Sequence, residues 1–536
     1  MAPPAEAFVL AIDLGTSSCK VDLVSEFGSI AGRDSEPVPL RLIEDGGAEQ
    51  DPETWWGAIL RCASRLIARR LVPAESIVAV CAAAHGLGTV PVDREGRALR
   101  PAMIWLDARG QKQTRRAVAG FPSVEGYQLG KLLRWIRRTG GAPNLSGKDP
   151  FGHILYLQDE SPEVYKATYR FLDVIGYIDF RLTGRMVGTW DSAAMTWLTD
   201  NRDPSRIHYD LGLARMAGLD LHRQPELVPS TCVLGPLRPD VADALGLRRG
   251  VQVVAGSFDL PAAAVGSGAV EPYAGHLSIA TSSFLTVHLP YMRTDIVHAM
   301  ASMPCALQDR YLLMAAQEIA GGCLTFLRDK LLFPGDALGS DSPPPDFFDR
   351  LNHLAGQSPP GSRGVLFLPW LYGERAPVDD PAARGVLFNL SMDTRRSDVA
   401  RAVFEGVALN TRWILGPVER FCRRRLEGIR TAGGGADSDL WCQILADVLG
   451  RTILQTENPA HATSRGAAFI ALIGLGRLSP AEVASRVRVR RVFEPTASMR
   501  STYDNAYAVF IDLYRRLSPA FRRMNASSAS RSHGEL

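Results

Sequence analysis

Three short stretches of the chain gather residues able to handle phosphate groups and protons. The first, Asp13-Leu14-Gly15-Thr16-Ser17-Ser18, sets a carboxylate, a glycine and three hydroxyls between two apolar runs. The second of those runs alternates as a half-buried strand does. A polar β-turn uses these residue types for conformational reasons alone; a loop that wraps a phosphate while Asp13 addresses a metal ion uses them for chemistry. The second stretch, IRTAGGGADSDLW, reads as a strand, three glycines and a helix starting near Ser438. Gly433, Gly434 and Gly435 let a backbone lie flat against a ligand, and a helix N-terminus favours polar or anionic groups. An ordinary tight connection needs fewer glycines. The third stretch, GSFDLPAAAVG, puts Asp259 just past a buried strand. With Pro261 behind it, Asp259 reads as a helix cap; at the mouth of a cleft the same acid can accept a proton from a hydroxyl.

The elements that must position these residues follow from periodicity. AFVLAID and KVDLV form a hairpin, ETWWGAILRCASRLIARRL a helix, and IVAVCAAA a buried strand. VYKATYRFLDVIGYIDFRLTG reads as one helix stopped by Gly184. GVQVVAG is a strand that leads into small residues, and a boundary between halves falls near residue 270. The second half opens with HLSIATSSFLTVHLP, which repeats the strand, hydroxyl turn and strand of the first. A duplication would give two related α/β domains whose hairpins face each other across a cleft. RSDVARAVFEGVALNTRWILGPVERFC is a long helix with Val399, Val403 and Val407 on one face, Ser397 as its N-cap and Asp398 in its first turn.

Composition narrows the functional class. A chain of 536 residues, 46% apolar and 22% charged, is long enough for two domains of roughly 250 residues each. A net charge of +3, spread along the chain, argues against a dedicated nucleic-acid surface, and FCRRRLEGIR and RVRVRR read as solvated faces of a helix and an edge strand. Eight scattered cysteines without CxxC or Cys/His spacing speak against a zinc site and a disulfide framework, and suit a reduced cytoplasmic setting. No signal peptide is read at MAPPAEAFVLAID, and no apolar run reaches the ~20 residues of a bilayer span. SGKDP around Lys148 lacks the upstream glycine and the Ser or Thr of a P-loop, and no GxGxxG, HExxH or GxSxG is present.

The series of motifs resembles the FGGY carbohydrate kinases, and within them the xylulokinases. DLGTSS is similar to the first phosphate loop, and GGAEQDPETWW to the stretch before the first helix. HGL at 85–87 and RPAMIWLDAR at 100–109 match the sugar-side segments, GSFD the catalytic base, and IATSS the second phosphate loop. IAGGCLTFLRD, PWLYGERAPVDDPAARG, RAVFEGVA and AGGGADSDLW follow in the family's order. The resemblance runs from Phe8 to about Arg477. It implies an α/β, two-domain actin-like ATPase (ribonuclease H-like) fold with an interdomain cleft. Residues 1–270 would form the sugar-side domain with the first phosphate loop and catalytic acid, 271–518 the nucleotide-side domain, and 519–536 a disordered tail.

The resemblance also assigns roles. Asp259 is the base, Asp13 helps hold Mg²⁺, and Thr16, Ser17 and Thr281 approach the phosphates of ATP. Gly321, Gly434, Gly435 and Asp439 fall on the nucleotide side. His85, Trp105 and Asp107 fall on the sugar side, with Asp259 reaching the same substrate; core packing is the alternative for the tryptophans Trp55 and Trp105. Lys20 has no role beyond structure. The implied activity is ATP-dependent phosphorylation of a ketopentose such as D-xylulose, with ATP and ADP, the sugar and Mg²⁺ as the only small partners and a homodimer allowed. Alternatives are a kinase of ribulose, an erythritol-like polyol or a larger sugar, and a non-catalytic sugar sensor on the same fold; sugar-stimulated ADP release separates the enzyme from the sensor. The sugar side departs from the pattern. Ala83 and Ala84 replace Gln and Met, Leu106 replaces Asn, and His153 and Tyr156 replace Lys and Trp. On the nucleotide side, Ala280-Thr281-Ser282-Ser283 replaces a GTSG loop.

Overall fold

A computed structural model describes residues 6–336 and 342–525. The first predicted hairpin forms from β1 (Phe8–Leu14) and β2 (Ser18–Ser25), antiparallel, with Asp13 opposite Lys20 and Leu14 opposite Cys19. β3 (Ile30–Pro37) extends this meander. On the other side of β1, β4 (Ile77–Ala84) and β6 (Gln252–Phe258) add in parallel, and β5 (Val233–Pro236) closes the edge. The sheet order is β5-β6-β4-β1-β2-β3. β4 is buried on both faces, which is why IVAVCAAA shows no alternation. α1 (Pro52–Ala68) covers one face, capped by Asp51 and started by a proline at its first position.

The second half repeats the plan. β7 (Gly275–Ile279) and β8 (Ser283–Leu289) form the second hydroxyl-tipped hairpin. β9 (Thr294–Asp295), β10 (Met300–Pro304) and β11 (Tyr311–Gln317) extend it on one side; β12 (Gly428–Ala432), β13 (Thr452–Thr456) and β14 (Val489–Phe493) extend it on the other. The order is β9-β10-β11-β8-β7-β12-β13-β14, with β7, β12 and β13 parallel and β14 an antiparallel edge. Both sheets are therefore an antiparallel meander joined to parallel strands. That shared topology is the structural form of the repeated sequence at the head of each half.

α4 (Asp259–Gly266) leaves the end of β6, and α7 (Ala462–Gly474) comes late in the chain. α7 nevertheless lies on the first sheet, where Ala468, Phe469 and Leu472 join Val9, Ala11, Ala79, Cys81 and Val254 in one apolar cluster. α4 and α7 cross at two glycines. A Cβ on Gly266 would stand 1.8 Å from the Ala462 carbonyl oxygen, and one on Gly466 1.8 Å from that of Ala262. Arg465 donates from Nε to the Gly266 carbonyl at 2.6 Å, tying the crossing together.

Three sequence expectations change. Residues 164–184 are not one helix: a helix Pro162–Ala167 ends, Arg170–Leu172 pairs with Val90–Val92 as a strand, and α3 (Val174–Thr183) starts again. Asp173 causes the restart by accepting from the Gly176 N–H at 2.6 Å, and Gly184, with φ 82°, stops α3 as expected. α5 (Arg396–Cys422) begins one residue earlier than Ser397, which lies buried inside it. Asp398 instead closes the helix end by accepting from the Arg395 N–H at 2.9 Å. Residues 519–525, expected in the tail, are the last turns of α8 (Arg500–Asn525), anchored by Tyr503, Phe510 and Leu513; residues 526–536 lie outside the described residues.

Candidate active site

The register of the first sheet explains why distant residues meet. Leu14 of β1 and Phe258 of β6 both stand beside Ala84 of β4. Asp13, His85 and Asp259 therefore leave the same end of three parallel strands, the carboxyl end, where α/β sheets bind ligands. Asp13 is 5% exposed and accepts an ion pair from Lys20 Nζ at 3.2 Å. Lys20 thus does more than hold the strand, because its charge also acts on Asp259. The Asp259 carboxyl is pushed up to about 7, chiefly by burial and then by the Asp13 charge, against the pull of the first helix N–H groups and Lys20. A carboxylate of that basicity suits proton abstraction near neutral pH. Asp191, which no sequence motif marks, fixes the approach to Asp259. Fully buried, it accepts from the Ser257 hydroxyl, from the Phe258 N–H at 3.2 Å and from Ser230 Oγ at 3.0 Å.

The sugar side separates into residues free to bind and residues already engaged. His85 is 3% exposed, and neither ring nitrogen has a hydrogen-bond partner among the described residues. Burial lowers its pKa to about 4, so the ring is neutral and offers one donor and one acceptor. A buried orphan imidazole is costly without a ligand to satisfy it. Trp55 is core: buried, bonded through Nε1 to Gln50 Oε1 at 3.2 Å and set edge-on to His85 at 5.8 Å. Trp105 is 37% exposed and donates to Thr16 Oγ1 at 2.9 Å, joining the sugar-side segment to the first hairpin tip.

Asp107 does not reach the cleft as expected. It is fully buried, with one oxygen accepting from the Ala48 N–H at 3.0 Å and both engaged by Arg109. It holds the segment in place rather than contacting a sugar. The substituted positions are structural too: His153 bonds Thr89 Oγ1 at 3.0 Å and the Asp107 carbonyl at 3.1 Å, and Tyr156 lies under the Arg109 guanidinium.

On the opposite wall Thr281 is exposed at the second hairpin tip. Gly321 abuts that tip: its N–H donates to the Ala280 carbonyl at 2.8 Å, and a Cβ there would stand 2.5 Å from the same oxygen. The triple glycine divides its work. Gly433, with φ 85°, and Gly435 are required by packing, since a Cβ would meet Ile279 O at 2.4 Å and Ile279 Cγ2 at 2.5 Å respectively. Gly434 is exposed, and a Cβ on it would meet nothing within 4 Å. The open face of the turn is therefore at Gly434, and the space at Gly435 is already filled by Ile279 and Trp441.

α6 (Asp439–Leu449) starts beyond, capped by Ser438. Asp439 pairs with Arg490 and with Arg491 at 2.9 Å, so part of the edge strand is engaged here rather than merely solvated. Burial opposes ionisation of Asp439, but Gln455 and the two arginines hold its carboxyl below the usual range.

Glu374 is a residue that sequence reasoning passed over within PWLYGERAP. It is buried, and burial pushes its carboxyl up to about 8. It accepts from the N–H groups of Arg375 and Glu318 at 2.8 and 3.1 Å and from Asn410 Nδ2 at 2.6 Å. Glu318 follows Gln317, which pairs with Ser283 beside the turn, so Glu374 braces the tip end of the second hairpin.

Among the described residues, no group of three or more His, Cys, Asp or Glu side chains could hold a metal ion. Asp13 and Asp259, two carboxylates whose charges act on each other, are what the strand ends offer. That donor set fits a Mg²⁺ ion carried mainly by nucleotide phosphates and water rather than by a protein cage.

The structure thus joins a buried carboxyl of raised pKa at the parallel strand ends with a hydroxyl-tipped hairpin in each of the two sheets. The models for the N-terminal and C-terminal domains of the FGGY family of carbohydrate kinases match residues 8–266 and 276–475, and the chain belongs to that family of ATP-dependent sugar kinases. It is 28% identical over 520 residues to a xylulose kinase of Staphylococcus epidermidis, covering 95% of this chain and 96% of that one. It is also 25% identical over 533 residues to a gluconokinase of Bacillus subtilis, covering 97% and 98%. The fold superposes on a gluconate kinase of Lactobacillus acidophilus with a TM-score of 0.83 at 22% identity, over 97% of this chain and 100% of the other, which identifies the actin-like ATPase fold.

Proposed function

We propose that this kinase transfers the γ-phosphoryl group of Mg²⁺-bound ATP to a hydroxyl of a ketopentose, with D-xylulose the first acceptor to test. One observation carries the reading: Asp259, its pKa near 7, shares the strand ends with Asp13 and the orphan imidazole of His85. His85 hydrogen-bonds the sugar, and Asp259 orients the attacking hydroxyl and takes its proton as the new O–P bond forms in line with the leaving ADP oxygen. Thr16, Ser17 and Thr281 approach the phosphates from the two hairpin tips, and Gly434 gives the nucleotide a flat face. Asp439 acts at one remove, by holding Arg490 and Arg491. Asp13 would hold Mg²⁺, which supplies charge neutralisation on the phosphates. Closure of the two halves excludes water and restrains ATP hydrolysis. Division into a sugar-side domain, 1–270, and a nucleotide-side domain from 271 fits this assignment. A cytoplasmic site of action fits the free cysteines, and no helix among the described residues is long and apolar enough to cross a membrane.

A coupled assay of ADP release over ketoses, polyols and sugar acids tests the proposal. Stimulation by D-xylulose supports it. If another neutral sugar is efficient and D-xylulose inert, the acceptor assignment fails; if no sugar stimulates ADP release by folded protein with Mg²⁺, the catalytic reading fails in favour of a sensor.

A further inference from the structure

Hydrogen bonds from the sugar-side segments converge on one residue of the first hairpin tip, Thr16. Its carbonyl accepts from Gln50 Nε2 at 2.7 Å, and its Oγ1 accepts from Trp105 Nε1 at 2.9 Å. Gln50 is buried, and its whole amide is engaged. Nε2 also donates to the Pro39 carbonyl at 3.3 Å, and Oε1 accepts from Trp55 Nε1 at 3.2 Å. Two carbonyls facing the nitrogen and an indole N–H facing the oxygen allow that amide one orientation. Trp55 is the ring set against His85, whose own N–H donates to the Leu14 carbonyl at 2.9 Å.

The donors belong to one braced unit. Gln50 ends the strand Gly47–Gln50, where Glu49 and Gln50 pair with Met103 and Ala102. The Ile104 N–H donates to the Ala48 carbonyl at 3.1 Å, immediately before Trp105. Thr89 and Met103 exchange backbone bonds at 2.8 and 3.1 Å, which ties in the segment that carries His85. His153 of α2 (Pro150–Glu160) braces the far side through the Asp107 carbonyl. Trp105 is thus fixed through its chain neighbours although its side chain reaches solvent.

At the tip, the Ser17 carbonyl accepts from the Val38 N–H at 3.0 Å and the Ser18 carbonyl from the Gly15 N–H at 2.9 Å. The successive N–H groups of Thr16 and Ser17 have no partner among the described residues. Carbonyls turned to the protein and adjacent N–H groups left open suit an anion. The Thr16 hydroxyl is biased the same way. An indole N–H already occupies its oxygen, so its one proton is left to donate outward.

We propose that Trp105 and Gln50 are positioning residues for phosphoryl transfer: they act through Thr16, fixing its hydroxyl and N–H as donors to the phosphate oxygens of ATP. The proposal rests on the kinase reading above. Trp105 supplies the side-chain constraint and Gln50 the main-chain one, so the segments that flank the acceptor also set the geometry of the phosphoryl donor.

A double-mutant cycle tests this, read as the single-turnover rate at saturating ATP and D-xylulose, or the sugar the acceptor panel selects in its place, with KM values alongside. Trp105→Phe keeps an aromatic ring and loses the N–H, and should slow transfer about fivefold, the scale of one neutral hydrogen bond, with KM for the acceptor changed less than about twofold. Thr16→Val, which loses the hydroxyl, should slow transfer about 10- to 100-fold, the scale of a bond to a charged group. The double variant should match Thr16→Val within about twofold, because the indole has then lost the group it acts on. Thr16→Ser should keep most of the rate and should still lose about fivefold when Trp105→Phe is added. Gln50→Met should slow transfer at a steady acceptor KM and lower Tm; Trp105, lying at the surface, carries the comparison if that variant does not fold. Losses that multiply in the double variant overturn the proposal by giving Trp105 and Thr16 separate roles. A Trp105→Phe variant altered only in KM for the acceptor also overturns it, making the ring a pocket wall. Both outcomes leave the kinase reading intact. Absence of turnover by wild-type enzyme with every sugar is the failure of that reading, and this proposal falls with it.

Discussion

The two hairpins share a backbone plan and differ in what stands beside them. At the first, the ends of β4 and β6 put His85 and Asp259 next to Asp13 and Lys20, so charges crowd a largely buried corner. At the second, the corresponding parallel strand β12 ends in glycines, and the tip presents the exposed hydroxyl of Thr281. Repetition of a fold therefore fixes where a loop points and leaves its chemistry to the strand ends beside it. On the proposed function, the first corner moves the proton and the second presents a surface to the nucleotide.

The strongest way to break this contrast is Asp259→Asn. The variant keeps shape and loses the base, so turnover should fall by about two to four orders of magnitude with sugar binding little changed. Near-normal turnover would move the proton acceptor out of the first corner. Wild-type pH dependence sharpens the same point. Because Asp259 acts when ionised and titrates near 7, kcat/KM for the acceptor should rise about tenfold per pH unit below that value and level off above it. A flat profile between pH 5.5 and 8 would contradict the assignment.

His85→Ala comes next. Removing the orphan imidazole should raise KM for the true acceptor by about tenfold, with KM for ATP steady, since neutral hydrogen bonds are worth about 1 kcal/mol each. Parallel changes in both constants would make His85 a core residue. At the second corner, Gly434→Val should weaken ATP binding several-fold at unchanged thermal stability. Gly435→Val should instead lower Tm, because Ile279 and Trp441 occupy the space. Identical behaviour of the two variants would erase the distinction drawn between neighbouring glycines.

The smallest effect is on stability. Folded Asp259 holds its proton well above the usual carboxylate range, so its contribution is intact below that range and is lost as pH rises through about 7. Asp259→Asn, which cannot ionise, should therefore gain more Tm over wild type at pH 8 than at pH 5. The reverse order in calorimetry would show that the carboxylate is not strained by its site.

What the sequence disclosed is what local pattern encodes. DLGTSS and IATSS announce their hairpins because strand alternation and turn residues are contiguous, and Gly184 and Ser438 mark helix ends for the same reason. Asp191, Glu374 and Asp22 were silent, because their roles come from partners far away in the chain. Asp22, for example, accepts from Arg33, His461 and Ser464 at once, joining β2 to the start of α7. The packing constraint on Gly435 was hidden because glycine spacing shows that side chains are absent without showing whose atoms fill the room. Residues 164–184 misled through their apolar periodicity, which a cap at Asp173 interrupts.

The crossing of α4 and α7 at Gly266 and Gly466 has a mechanical consequence. Asp259 stands at one end of α4 and the contact at the other, about 10 Å away at 1.5 Å per residue. A helix pinned at one end is a lever, and a tilt of about 10° about the pin swings the far end by roughly 2 Å at that length. The backbones touch with no side chain between them, so little slack is left to absorb the tilt before it reaches the carboxylate. A displacement of α7 against α4 is thus carried along the helix to the carboxylate rather than absorbed at the crossing.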